Sequence, residues 1–168
     1  KYMSVKFIIV QSIAFVAFLF LISSYKEKRK KGILFKQFIS GLFYSLHYAL
    51  LGARSGFVNS IIISIRNITF SKVRKNQKKL SKIFIALFII MGIITFNEWY
   101  SVIPVMGASI YTYNMSGTKK RVLQGGLINA GSWAIYNILA GSYVGALAES
   151  LVFLANFKAL YIKKSSYF

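Results

Sequence analysis

The sequence has no cysteine, one histidine, one proline and only three acidic residues among 168. Without cysteine the chain can form neither a disulfide framework nor a thiolate metal site. One histidine and three scattered carboxylates are too few for a site with several metal ligands, so we predict no metal and no cofactor. A Ser-His-Asp set, paired carboxylates and a phosphate-binding loop are also missing, and the sequence therefore predicts no enzymatic activity.

Apolar and basic residues are abundant instead. Hydrophobic residues make up 56% of the chain and aromatic residues 17%, which does not suit a soluble surface, and the net charge is +19. The lysines and arginines come in short bursts between apolar runs, as in cytoplasmic loops, rather than along one face of a nucleic-acid-binding fold. We therefore predict an integral membrane protein with no nucleic-acid partner.

Seven apolar runs are candidate transmembrane helices, several of them near the lower limit of roughly 17 residues for a spanning helix. They cover residues 7–22, 33–51, 57–70, 83–96, 102–115, 122–139 and 142–162. The first run could also be read as a signal peptide. A membrane span is favoured, because no small-x-small cleavage site follows and the run has a counterpart later in the chain.

The basic residues predict how the helices are oriented. Most of the 22 lysines and arginines follow the first, third, fifth and seventh runs. They are Lys26, Lys28, Arg29, Lys30, Lys31, Lys36, Lys72, Arg74, Lys75, Lys78, Lys79, Lys82, Lys119, Lys120, Arg121, Lys158, Lys163 and Lys164. The opposite side has Lys1, Lys6 and Arg54, while Arg66 lies within the third run. The N-terminus is thus predicted outside and the C-terminus in the cytoplasm, with basic loops that are candidates for binding anionic lipids.

An internal repeat relates the first three runs to the last three with an offset of 89 residues. Identical residues occur at Leu50/Leu139, Gly52/Gly141, Gly56/Gly145 and Asn67/Asn156. Three helices are an odd number, so the second copy keeps its orientation only if one extra helix intervenes. We predict an all-α membrane protein with a parallel 3+1+3 repeat: a triple-helix bundle at 5–71, an inversion linker helix with its basic loop at 72–97, and a second bundle at 98–162. The paired glycines are interpreted as turn and close-approach residues.

This layout resembles that of the SWEET sugar transporters, the PnuC vitamin transporters and the KDEL receptors. Four runs look more specifically like the YgjV-type bacterial inner-membrane proteins: residues 46–53 (LHYALLGA), 66–67 (RN), 101–107 (SVIPVMG) and 133–137 (WAIYN). The resemblance covers nearly the whole chain and implies a fold and an inner-membrane location, but no substrate. SWEET-type carriers have hinge prolines in several helices. Here only Pro104 is available as a hinge, so proline-dependent bending is predicted in one bundle.

Polar side chains at membrane depth form stripes at helical spacing, such as Ser40, Tyr44 and His47 on the second helix. The stripes recur under the offset, which favours one polar interior between the bundles, near the midplane where repeat interfaces hold substrates. The candidate substrate-binding residues are Tyr44, His47, Ser60, Ser64, Asn67, Asn129, Trp133, Tyr136, Glu149 and Asn156. The alternative is that small polar residues simply join helices, as is common in membranes.

Glu149 is the most informative single residue. A carboxylate in the middle of a membrane helix costs about 2.5–3.5 kcal/mol on insertion scales, so it must be neutral, solvated by a cavity or paired. Its depth differs from that of His47 by only about 3 Å, given a rise of about 1.5 Å per residue, which allows a contact. Glu149 is interpreted either as part of a proton or cation relay coupled to transport or as a protonated group that joins two helices.

Together these features predict a small-solute carrier, in which two bundles rock about the pocket and pass an uncharged or cationic metabolite. Trp133 would stack on the solute, Asn67 and Asn156 would hydrogen-bond to it, and Glu149 would tune the charge. The alternative is a non-transporting membrane protein that binds a ligand, lipid or partner in the same pocket. A vitamin-binding subunit of a larger importer is disfavoured by the odd helix number and the repeat. Homo-oligomerisation is left open.

Overall fold

The computed structural model describes residues 5–73 and 75–162. Within them the chain forms seven α-helices, one short 3₁₀ helix and no strand, which confirms the all-α prediction. The elements are α1 (Val5–Ser24), α2 (Lys30–Leu51), α3 (Arg54–Lys72), α4 (Gln77–Ile94), the 3₁₀ helix (Trp99–Ser101), α5 (Val102–Asn114), α6 (Lys119–Leu139) and α7 (Tyr143–Tyr161). Among the basic residues used to predict the orientation, Lys1, Arg74, Lys163 and Lys164 lie outside the described residues.

Two helices in the described part of the chain, α1 and α7, are long and apolar enough to cross a membrane. Other helices are shorter or more polar. The helix α5 has only 13 residues, and α2 carries Lys30, Lys31 and Lys36. Length and hydropathy alone therefore indicate two spans rather than the seven that the sequence pattern predicts.

Polar and apolar side chains are distributed in the reverse of the soluble-protein pattern. Ile93 on α4 and Leu147 on α7 are 71% and 59% exposed, whereas His47, Arg66 and Asn67 are buried. Extensive exposed apolar surface marks a face that contacts another protein or a membrane. The helices thus direct apolar groups outward and enclose polar groups.

The α2–α3 and α6–α7 hairpins have closely similar turns. Gly52 has φ 82° and Gly141 has φ 74°, a left-handed conformation that favours glycine. The residue after each glycine donates its backbone N–H to the carbonyl five residues earlier, at 2.9 Å in the first turn and 2.8 Å in the second. The turn role predicted for these two glycines is confirmed.

Gly56 and Gly145 lie just beyond the turns, where neighbouring groups approach closely. A Cβ atom at Gly56 would lie 2.8 Å from the Tyr136 hydroxyl oxygen and 2.9 Å from Cγ of Tyr48. A Cβ atom at Gly145 would lie 2.9 Å from Oδ1 of Asn137. Real side chains do not pack this closely, so the predicted close-approach role is also confirmed.

Helices adjacent in sequence pack side by side. The helix α2 lies between α1 and α3, α6 lies between α5 and α7, and further contacts join α1 to α7 and α3 to α5. The predicted linker helix α4 packs against α3 and α5, with Phe84 and Phe88 buried in a cluster that includes Phe70. This helix is therefore a part of the core as well as a connection.

Pro104, the predicted hinge, is the third residue of α5 and is buried. A proline in the first turn costs no hydrogen bond, because the N–H it lacks would have no intrahelical partner there. The interior of α5 contains no proline break, and the hinge role of Pro104 stays a prediction.

Candidate functional site: a cavity between the helices

A cavity of about 880 Å³ lies among the helices and is lined mainly by α2, α3, α6 and α7. Its mouth is lined by Lys30 at the start of α2 and by Lys119 and Lys120 at the start of α6. Its inner end reaches Tyr44 and Trp133. The volume is in the range of small-molecule sites, which is about 300–1,000 Å³.

The cavity brings together most of the residues predicted to bind a substrate. Those that line it are Tyr44, Ser60, Asn67, Asn129, Trp133, Glu149 and Asn156. They come from four helices, so the stripes predicted from helical spacing do converge on one space. Substrate binding by these residues stays a prediction.

The side chains of the other three predicted residues make hydrogen bonds within the fold. His47 is fully buried, with Nδ1 2.8 Å from the carbonyl oxygen of Val10 and Nε2 2.8 Å from the hydroxyl oxygen of Ser142. Both ring nitrogens are thus occupied, and the contact with Glu149 that the helix depths allow is not formed. A relay that passes directly between these two side chains is not present in this conformation.

Ser64 and Tyr136 also have partners within the fold. The hydroxyl of Ser64 donates to the carbonyl of Ser60 at 2.8 Å, and the hydroxyl oxygen of Tyr136 accepts from the backbone N–H of Gly56 at 2.8 Å. These bonds lie within α3 and between α3 and α6, so both side chains contribute to packing.

Two cavity-lining residues contain buried polar atoms that have no partner among the described residues. They are the hydroxyl oxygen of Tyr44 and Oδ1 of Asn129. Buried polar atoms in folded proteins are nearly always hydrogen-bonded, and leaving one unpaired costs about 1–3 kcal/mol. Tyr44 and Asn129 are therefore the lining residues that we expect to hydrogen-bond to a bound polar group.

Arg66 is the cavity residue that sequence reasoning missed. It is only 2% exposed, and its Nη1 donates to Thr112 at 2.8 Å while Nη2 and Nε donate to Oδ1 of Asn67 at 2.9 Å and 3.2 Å. Its guanidinium lies 5.2 Å from the ring centroid of Tyr111. The ion pair of the described residues joins Lys36 to a different carboxylate, so Arg66 has no acidic partner. The sequence contains a signal for Arg66, because an arginine within an apolar run is energetically costly in a membrane and is by default a functional-site candidate.

Tyr25, just after α1, is a second lining residue outside the prediction. The residue is 48% exposed, and it lines the cavity together with Asn156. Burial of the phenol raises the pKa of Tyr25 well above its ordinary range, and the nearby Glu149 carboxyl raises it further. Tyr25 is therefore a neutral hydrogen-bonding group at the cavity wall.

The end of the molecule opposite the mouth is closed by an aromatic cluster, which consists of Tyr44, Tyr48, Tyr100, Trp133 and Tyr136. The rings of Tyr48 and Trp133 stack with their centroids 5.7 Å apart, and those of Tyr100 and Tyr136 lie 5.9 Å apart. The hydroxyl of Tyr48 donates to Oδ1 of Asn137 at 2.6 Å. These contacts join α2 to α6 and separate the cavity from the turn side of the molecule.

The described residues contain no group of three side chains that could hold a metal ion. Neither a curated protein nor a solved structure matches the chain. The SWEET-like layout therefore has no structural counterpart among these comparisons. Residues 8–165, nearly the whole chain, do match the YgjV family of bacterial inner membrane proteins, and the protein belongs to that family.

Proposed function

We propose that the protein is a small-solute carrier of the bacterial inner membrane and that the cavity is its solute-binding site. The observation that carries the proposal is a cavity of about 880 Å³ whose lining includes Tyr44 and Asn129, two residues that each have a buried oxygen without a partner among the described residues. Trp133 supplies a flat aromatic surface beside them, and Asn67 and Asn156 supply amides. Few polar groups in a mostly apolar cavity are typical of small-molecule sites.

The proposed carrier has seven transmembrane helices in a 3+1+3 repeat, with α4 as the inversion linker. Contacts related by the 89-residue offset support this arrangement. Tyr48 donates a hydrogen bond to Asn137, its own equivalent, as expected for residues beside a two-fold axis. Gly52 and Gly141 share one turn conformation, and the α1–α7 contact is equivalent to the α5–α3 contact.

In our proposal the N-terminus is outside and the C-terminus is cytoplasmic. The cavity mouth is at the end that carries basic residues of the α1–α2 and α5–α6 loops, and the positive-inside rule assigns that end to the cytoplasm. The conformation would then be open to the cytoplasm. The proposed partners are the bilayer, anionic lipid headgroups at the basic loops and a small polar solute, with no nucleic acid and no enzymatic reaction.

Transport would require the closed end to open. Separation of the two bundles there would break the Tyr48–Asn137 bond and the bond between Gly56 and Tyr136, and would unstack Tyr48 from Trp133. Closure of the mouth at the same time would expose the solute to the other side. Rocking of repeats about a fixed midplane site is the usual mechanism of carriers with internal repeats.

Uptake into proteoliposomes tests the proposal against a broad panel of small metabolites. For a transported compound, Asn129→Ala should lower uptake about fivefold, because one hydrogen bond is worth about 1 kcal/mol. Ile128→Ala is the matched control, because Ile128 precedes Asn129 in the chain and its side chain is 45% exposed. Failure of every compound to cross, with the protein folded, would contradict the carrier function.

The closed end also supports an alternative, a membrane protein that binds a ligand, lipid or partner without transport. Buried bonds hold that end, including the Tyr48–Asn137 bond and the contact between His47 and Ser142. If they never open, solute enters and leaves by the same mouth. A compound that raises the unfolding temperature but is not taken up would favour this alternative.

A further inference from the structure

The cavity contains ionisable side chains of both kinds, basic and acidic, that the fold does not pair with each other. Glu27 is paired with Lys36 at 2.6 Å, and Glu98 precedes the 3₁₀ helix, away from the cavity lining. Glu149 and Arg66 both line the cavity, and neither belongs to an ion pair of the described residues. Unpaired charges in a partly desolvated site are costly, which makes them candidates for ligand contacts.

Arg66 belongs to the part of the cavity nearer the mouth. It lies six residues before the end of α3, which runs towards the mouth, and Lys30, Lys119 and Lys120 line the entrance. Three of its five N–H groups are used by Asn67 and Thr112, which fix the guanidinium plane and leave two donors. A fixed guanidinium with free donors suits a carboxylate or phosphate.

Glu149 belongs to the deeper part. It lies twelve residues before the end of α7, which also runs towards the mouth, and it lines the cavity together with Tyr44 and Tyr48. Trp133 stacks on Tyr48 at the same end. A carboxylate beside aromatic faces suits an ammonium group, which gains an ion pair and cation–π contacts.

The two charges are separated along the helices. At a rise of about 1.5 Å per residue, Arg66 is about 9 Å and Glu149 about 18 Å from the mouth-side ends of their helices, so their levels differ by about 9 Å. Because both side chains are long, the distance that a ligand must span between the two charged groups is shorter than this difference in level. An α-amino acid headgroup, with its ammonium and carboxylate groups attached to the same carbon atom, is too short to contact both.

We propose that the cavity selects zwitterionic solutes whose anionic and cationic groups are several bonds apart, with the anion on Arg66 and the cation on Glu149. This inference rests on the proposed function, since it names the substrate class of the same site. It differs from the expectation of an uncharged or cationic solute, which did not include Arg66.

The ω-amino acid aminohexanoate is a direct probe, with hexanoate and hexylammonium as singly charged controls of equal length and glycine as a short zwitterion. Binding to the purified full-length protein is measured by titration calorimetry. Aminohexanoate should bind at least about tenfold more tightly than any control, which corresponds to about 1.4 kcal/mol. Equal affinity for aminohexanoate and either singly charged control would overturn the proposal without any variant.

Two variants assign the ends. Arg66→Gln should reduce aminohexanoate to the affinity of hexylammonium, and Glu149→Gln should reduce it to the affinity of hexanoate. Because loss of the bond to Thr112 can destabilise the fold, Arg66→Lys is the control that keeps the charge and should retain part of the preference. Unchanged affinity in both folded Gln variants would overturn the assignment.

Uptake of labelled aminohexanoate separates this inference from the carrier function. Tight binding without uptake supports the zwitterion site and contradicts the carrier. Uptake of uncharged solutes with no preference for aminohexanoate supports the carrier and overturns the zwitterion site.

Discussion

At the closed end, His47 and Tyr48 are bonded to Ser142 and Asn137 across the molecule, whereas in the cavity Tyr44 and Asn129 present buried oxygens without partners. The same residue types thus serve two purposes a few helical turns apart. Polar groups that meet across the molecule hold the fold closed. The hydroxyl of Tyr44 and Oδ1 of Asn129 make no such bond, and substitutions at the two ends should therefore have different effects.

The largest effect is expected from His47→Ala at the closed end. The change deletes a fully buried ring and leaves the Val10 carbonyl and the Ser142 hydroxyl without their partner. We expect the free energy of unfolding to fall by about 3 kcal/mol. Leu46→Ala, at a neighbouring position that is 48% exposed, should cost much less. Denaturant unfolding in detergent measures both, and equal losses would contradict a structural role for His47.

Gly56→Ala tests the close approach behind the aromatic cluster. The new Cβ atom would meet Tyr136 and Tyr48 at 2.8 Å and 2.9 Å, so we expect a loss of about 2 kcal/mol in unfolding free energy. Gly131→Ala is the matched control, because its Cβ atom would lie 3.5 Å from Phe153, an ordinary contact. The control should be neutral or stabilising by up to about 1 kcal/mol, since alanine favours helix. Equal decreases in the unfolding temperatures of the two variants, measured by thermal unfolding, would contradict this difference.

A smaller effect distinguishes the two neighbouring tyrosines of α2. Tyr48→Phe removes the 2.6 Å bond to Asn137 and should cost about 1.5 kcal/mol of unfolding free energy. Tyr44→Phe removes a hydroxyl that has no partner, so stability should be unchanged or slightly increased. In uptake measurements, Tyr44→Phe should lower the affinity for the solute although it does not lower the stability of the protein. Destabilisation by Tyr44→Phe equal to that by Tyr48→Phe would show that both hydroxyls serve the fold.

The helices were predictable because apolar runs are separated by basic bursts and glycine turns. Each of the seven predicted runs coincides with one helix. The predicted first residues of the helices were less accurate. The helix α4 begins at Gln77 rather than at residue 83, because its first turns are basic and were assigned to the loop. The helix α6 begins at Lys119 rather than at residue 122, with the Thr118 side chain accepting a hydrogen bond from the Arg121 N–H.

The site was predictable where helical spacing alone decides which side chains share a face. Tyr44 and Trp133 reach the cavity as predicted. His47 and Tyr136 lie on the same stripes but meet other elements at the closed end, and such tertiary contacts are not visible in one sequence. Arg66 was predicted only to lie within the third apolar run, and its place in the cavity was missed.

The chemical accessibility of single introduced cysteines tests most directly whether the cavity opens to water at the basic end. The sequence has no other cysteine that could react with the reagent. Ser60 and Ser55 are both buried on α3, but Ser60 lines the cavity, whereas Ser55 donates to the Ser101 carbonyl at the closed end. In inside-out membrane vesicles, a membrane-impermeant thiol reagent should modify Ser60→Cys and leave Ser55→Cys unmodified. Equal modification of the two variants, or none of Ser60→Cys, would contradict a water-accessible cavity that opens at the basic end.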